Sequence, residues 1–134
     1  MLKILFLVLL TLTLNANTFS IASYNVENFF DLNNDNDEYS EFIPNTKSNW
    51  NQNTFNIKVN NLVKVLSDVD ADIIALQEVE NRELMQLLLK KLPNYHYFSF
   101  IKYPDSAIGV GFLSKIKIKE NRQLDVKFTT KVYR

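Results

Sequence analysis

One short run constrains this chain more than any other. Asp70-Ala71-Asp72-Ile73-Ile74-Ala75-Leu76 lies between two segments of helical period. Four apolar residues in a row behind an acidic turn predict a strand buried on both faces, as in a parallel sheet. Before the run, Phe55, Val59, Leu62, Val63 and Leu66 recur at helical spacing, and Asn53 or Thr54 is the expected N-cap. After it, a second helix is expected from about Glu80. Leu84, Leu87, Leu88 and Leu92 form its inner stripe, and Pro93-Asn94 stops it. With a strand before this unit and consecutive strands after it, the order strand, helix, strand, helix, strands argues for an α/β layered fold.

The flanks extend this pattern. Thr18 to Asn25 alternates apolar and polar side chains and predicts a first strand. Residues 31–53 are polar and Asn/Asp-rich with Pro44, so they read as a long loop of a functional or mobile kind. Tyr95 to Ile101 reads as an aromatic strand, Tyr103-Pro104-Asp105-Ser106 as a turn, and Ala107 to Ser114 as a returning strand. Lys115 to Arg134 is expected to add one or two more strands. The 134 residues have room for one domain, placed at 18–134. With no cysteine, disulfides and thiolate metal sites are excluded.

Residues 1–16 read as a signal peptide. Lys3 precedes an apolar stretch too short to span a bilayer, and Leu14-Asn15-Ala16 is an imperfect cleavage site. The expectation is export to the periplasm or beyond, with no membrane span after cleavage. A zero net charge conceals an asymmetry. Residues 1–100 carry 7 Lys/Arg against 12 Asp/Glu, and residues 101–134 carry 8 against 3. An acidic part that can hold a cation beside a basic part that can meet phosphate suits phosphate-ester chemistry, although scattered surface charge gives the same totals.

Two residues mark the candidate site. Asn25 ends the first strand, Glu78 ends the second, and ligands of α/β sheets bind beyond the carboxyl ends of strands. An amide oxygen and a carboxylate at one edge are hard ligands suited to Mg2+ or Mn2+. Each has a plainer alternative: Asn25 as a turn former, and Glu78 as a partner for the positive end of the next helix. Glu80 is better placed for that second task.

The surrounding blocks carry a resemblance. Ser23-Tyr24-Asn25-Val26-Glu27-Asn28-Phe29-Phe30-Asp31, Asp70 to Glu80 (DADIIALQEVE) and Ile108-Gly109-Val110-Gly111-Phe112-Leu113-Ser114 resemble three ordered blocks of the endonuclease/exonuclease/phosphatase superfamily. Gly111 stands where alanine is usual, a departure expected to cost little. The resemblance implies a deoxyribonuclease-like four-layer α/β/β/α sandwich, here partial with its C-terminal half missing, and a metal-dependent phosphodiester hydrolase. It implies Glu78 as the main ligand for Mg2+ or Mn2+, Asn25 beside metal and scissile phosphate, Gln77 as an orienting group and Arg134 as a phosphate contact. The implied partner is a phosphodiester, nucleic acid first, with no protein partner.

The family's later G-D-F-N and S-D-H blocks do not occur in this sequence. A water nucleophile needs a positioned base, usually His with an orienting Asp. The single histidine, His96, lies in the aromatic strand and reads as a surface residue. The chain is therefore expected to be an inactive fragment, and half a sandwich is expected to aggregate through its uncovered sheet face. Two other readings stand beside this one: an exported cation- or polyanion-binding module without catalysis, and a lipid or inositol phosphoesterase of the same superfamily. Asp31 to Asn36 opens like an EF-hand loop, but Asn36 replaces the glycine at position six and Phe42 the glutamate at position twelve, which argues against that site. Tyr95, Tyr97, Phe98, Phe100 and Tyr103 could stack bases, but at period two they read first as sheet packing.

Overall fold

The computed structural model describes residues 18–124. The signal segment and residues 125–134, with Arg134, lie outside the described residues; the strand expected from Lys115 is corrected over residues 115–124, which form none. Four strands form one mixed sheet in the order β1-β2-β4-β3: β1 (Ile21–Phe29), β2 (Ile73–Val79), β3 (Tyr97–Ile101) and β4 (Gly109–Ser114). β1 pairs parallel with β2, and β4 pairs antiparallel with both β2 and β3. Helix α1 (Gln52–Val69) joins β1 to β2, and α2 (Arg82–Lys91) joins β2 to β3. This is an α/β fold of one sheet and one helical layer, consistent with part of a deoxyribonuclease-like domain.

Capping sets the helix boundaries. Asn51, not Asn53 or Thr54, is the N-cap of α1: its side chain accepts from the backbone of Asn53 and Thr54, and the Thr54 hydroxyl receives the Asn51 backbone N–H. That reciprocal pair satisfies otherwise orphaned donors and starts the helix earlier than the apolar period does. Asp70 ends α1 in the left-handed region, at φ 41°. Its carboxylate takes hydrogen bonds from Asn94 and pairs with Lys115 at 2.8 Å, anchoring the turn. Asn81 caps α2 by accepting from Leu84 N–H at 3.0 Å. Glu80 is therefore not the group that meets the helix terminus.

Both helices cover the same sheet face. Val59, Leu62 and Leu66 of α1 and Leu84, Met85 and Leu88 of α2 share one core with Ile74, Leu76 and Leu113. The expectation that β2 is buried on both faces is corrected. Ile74 and Leu76 are fully buried, whereas Ile73 and Ala75 point to the uncovered face and are only half-buried. On that face Ile21 is 65% exposed, and Val110 and Phe112 are each 40% exposed. The apolar run of β2 encodes two covered faces, but among the described residues only one cover is present.

Gly111 is where α2 meets β4. A Cβ there would lie 2.7 Å from Met85 Cε and nearer still to its Sδ. Met85, which the inner-stripe reading missed, is fully buried and fills the space an alanine methyl would take. An alanine at 111 would therefore force the end of the buried Met85 side chain to move, at a cost in packing.

The segment between β1 and α1 is less open than its composition suggests. Phe30 stacks on Phe42 at 4.9 Å, Phe42 meets Trp50 edge-on at 5.2 Å, and Trp50 meets Phe55 at 6.2 Å. The Trp50 indole donates to the Asp31 carbonyl at 2.7 Å. This aromatic pile is a satellite core that pins the loop to the start of α1.

Candidate metal and phosphate site

The parallel pair β1–β2 runs in register from Ile21↔Ile73 to Asn25↔Gln77, then slips, and pairing resumes at Phe29↔Val79. Three residues of β1 thereby face the single residue Glu78. Across the other side of β2, Gln77 pairs with Val110 and Val79 with Gly109, so Glu78 is also the extra residue against β4. Bulges of this kind re-aim side chains beside functional sites.

The backbone at this point is unusual for its residue types. Glu27 has φ 59°, Asn28 φ 60° and Glu78 φ 65°, all in the left-handed region without a glycine. Such residues cost on the order of 1–3 kcal/mol each and persist only where the surroundings impose them. Here the strain rotates the Glu78 carboxylate to the carboxyl-terminal edge of the sheet.

Hydrogen bonds then fix that carboxylate. Asn25 Nδ2 donates to Glu78 Oε1 at 2.8 Å, and the Asn28 backbone N–H donates to Oε2 at 3.0 Å. The Glu27 N–H donates to Asn25 Oδ1 at 2.7 Å. That last bond orients the amide, because a flipped Asn25 would set N–H against N–H. The structure thus brings together the two residues expected from the sequence, with the Asn25 NH2 toward Glu78 and its oxygen engaged by the backbone. Each Glu78 oxygen accepts one hydrogen bond and retains acceptor capacity for a cation. The Asn25 amide forms no further hydrogen bond among the described residues.

Gln77 lies one register position from this point and exchanges hydrogen bonds with Ser23 Oγ at 3.2 and 3.5 Å. Next to Glu78, a cleft of about 300 Å³ is lined by Ile101, Lys102, Tyr103, Ile108, Gly109 and Val110. Lys102 pairs with Asp37 at 3.0 Å, and Tyr103 is 58% exposed. Tyr95 instead is buried, its hydroxyl donating to the Ala71 carbonyl at 2.8 Å, so it belongs to the core and not to any stacking surface.

Lys58 is a neighbour that sequence reasoning missed. Its ammonium donates to the Glu27 carbonyl at 2.9 Å. Burial lowers its pKa from the usual lysine value, and the negative charges of Glu27 and Glu78 act in the opposite sense. One signal was available: Lys58 sits among Phe55, Val59 and Leu62 on the inner stripe of α1, where a charge needs a reason.

His96 is exposed and sits at the other end of the sheet, its N–H donating to the Ser114 carbonyl. Ser114 pairs with Ile73, four residues before Gln77 along β2. At the rise of a strand that offset is about 13 Å, so His96 cannot act on a group held at Glu78.

Glu80 is 1% exposed. Its Oε2 accepts from Asp31 N–H at 2.7 Å and from Asn81 Nδ2 at 3.1 Å. Burial pushes its pKa up to about 7, with the charges of Asp31, Glu38 and Asp35 adding to the rise and the Asp31 N–H opposing it.

A family model described as the Endonuclease/Exonuclease/phosphatase family matches residues 20–125, a span that contains all three blocks and every element above. No curated protein and no solved structure gave a significant match. With that model spanning both Asn25 and Glu78 and most of the chain, the protein belongs to the endonuclease/exonuclease/phosphatase family.

Proposed function

We propose that this chain holds Mg2+ or Mn2+ at Glu78 and presents it to a phosphodiester, with nucleic acid as the substrate class. The observation that carries this reading is the Glu78 carboxylate, held on a strained bulge at the carboxyl end of β2 by Asn25 at 2.8 Å and Asn28 at 3.0 Å. A pre-oriented carboxylate with spare acceptor capacity suits a cation that keeps most of its waters and takes one or two protein ligands. When bound, the metal supplies Lewis-acid polarisation of a phosphoryl oxygen and charge for the leaving oxygen.

The chain's own residues do the rest. Asn25 steadies Glu78 and offers its remaining amide proton to a phosphate oxygen. Lys58 adds positive charge behind the bulge. Lys102 and the exposed Tyr103 ring border the cleft next to Glu78, a cation and a stacking face suited to a nucleotide. Arg134 is retained as a phosphate contact and residues 1–16 as the export signal, which would place the protein in the periplasm or outside the cell.

Turnover by this chain alone is expected to be absent or very low, because among the described residues no histidine stands near Glu78. The same observation favours a second reading, an exported binding module that captures a cation and a polyanion without cleaving it. Calorimetric titration of the chain with Mg2+, and of the Mg2+-loaded chain with a phosphorothioate oligonucleotide, tests the proposal. Both binding events should weaken at least tenfold in Glu78→Gln. Mg2+ affinity unchanged by that substitution would overturn the assignment, and metal-dependent plasmid cleavage abolished by Glu78→Ala would refute the expected inactivity.

A further inference from the structure

We propose a second cation site, with calcium as its ion and separate from Glu78, formed by Glu80, Asp35 and Glu38. One carboxylate oxygen from each of these residues lies within 4.8 Å of the other two. Three carboxylates this close can share one hard cation, and Ca2+, which takes six to eight oxygen ligands in a flexible geometry, suits them.

A second, independent observation points to a ligand. Glu80 Oε1 is buried and has no hydrogen-bond partner, while its Oε2 is fully engaged by Asp31 and Asn81. A buried carboxylate oxygen left bare is costly, and native structures rarely tolerate one without water, proton or ion. The charges that Glu80 faces are Asp31, Asp35 and Glu38, all of its own sign. Among the described residues no Lys or Arg pairs with Asp35, Glu38 or Glu80; the nearest cation in the loop's network, Lys102, is paired to Asp37.

The loop geometry is already set for such an ion. Glu38 accepts from the backbone N–H of Asp35 and Asn36, which folds residues 35–38 into a tight turn that carries Asp35 and Glu38 together. Asn36 reaches φ 72° to allow that turn. This is not the EF-hand register that the segment from Asp31 resembles, because the third carboxylate comes from the β2–α2 junction. An ion here would tie the β1–α1 loop to that junction and hold the Asn28 bulge that positions Glu78 from behind.

Terbium luminescence tests this on the full chain, with Tb3+ alone as probe and excitation through Trp50 and Tyr39. Sensitised emission displaced by millimolar Ca2+ is expected, and it should weaken about tenfold or more in Asp35→Asn and in Glu38→Gln. Asp35 is exposed, so its replacement should leave the fold intact, which near-ultraviolet dichroism checks. Glu78→Gln should leave the Ca2+-displaceable emission unchanged. The proposal is overturned if no Ca2+-displaceable emission is seen, if it survives both loop substitutions, or if Glu78→Gln removes it.

Discussion

Replacing Glu78 by glycine and by alanine should give an inverted order of stability. In an ordinary strand position glycine is less stable than alanine by roughly 0.5–1 kcal/mol, because its unfolded chain is freer. Glu78 sits at φ 65°, where a Cβ costs about 1–2 kcal/mol and glycine pays nothing. Both substitutions remove the same two hydrogen bonds, from Asn25 Nδ2 and the Asn28 N–H, at about 1 kcal/mol each. That loss cancels between the two variants, and the difference isolates the backbone. The strain outweighs the entropy of the glycine chain, so Glu78→Gly should be more stable to urea than Glu78→Ala by roughly 0.5–1 kcal/mol, with divalent cations chelated. Both should have lost the response of the midpoint to Mg2+ equally. An alanine variant as stable as the glycine variant would show that the bulge relaxes once the carboxylate is gone. The claim that the backbone is held strained for the sake of this side chain would then fail.

Gly111→Ala should destabilise by about 1–3 kcal/mol through overpacking against Met85, and far less in a Met85→Ala background, where the new methyl fills part of the cavity. A double-mutant cycle by denaturant titration checks this, and additive costs would refute it. Hydrogen bonds from Ser20 hold Asp72 below the usual carboxylate range, and bonds from Lys115 and Asn94 do the same for Asp70. The stability they contribute is present above the ordinary carboxylate pKa and lost as pH falls through their lowered values. An acid titration of the melting temperature should thus flatten at its low-pH end in Asp70→Asn combined with Asp72→Asn, and an unchanged curve would count against it. Phe112→Lys on the uncovered face should reduce self-association, seen by light scattering, with the unfolding free energy kept within about 0.5 kcal/mol. Unaltered aggregation would mean that this face is not the adhesive one.

The elements of the fold were legible because each rests on local periodicity. Apolar spacing marked the inner stripes of α1 and α2, and the four-residue apolar run marked β2. The three sequence blocks marked Asn25 and Glu78 as belonging at one edge, and the parallel register places them there. The start of α1 was misplaced because a polar capping pair, Asn51 and Thr54, and not the apolar period, decides where a helix begins. The burial of Met85 and the size of residue 111 form one decision shared by α2 and β4, which neither segment reveals alone.

What only the tertiary structure decided is how side chains from distant segments meet. The bulges at residues 26–28 and at Glu78 exist because two strands with different residue counts must both reach the same edge. Hydrophobic pattern has no term for that mismatch, so the strain at Glu78 is invisible in the sequence. Lys58 comes to the site through the packing of α1, and Glu80 meets Asp35 and Glu38 only because the loop folds back onto the β2–α2 junction. The uncovered face of β2 shows the same division. Its apolar side chains are written into the chain, but which of its two faces the helices cover is fixed by the crossover between β1 and β2.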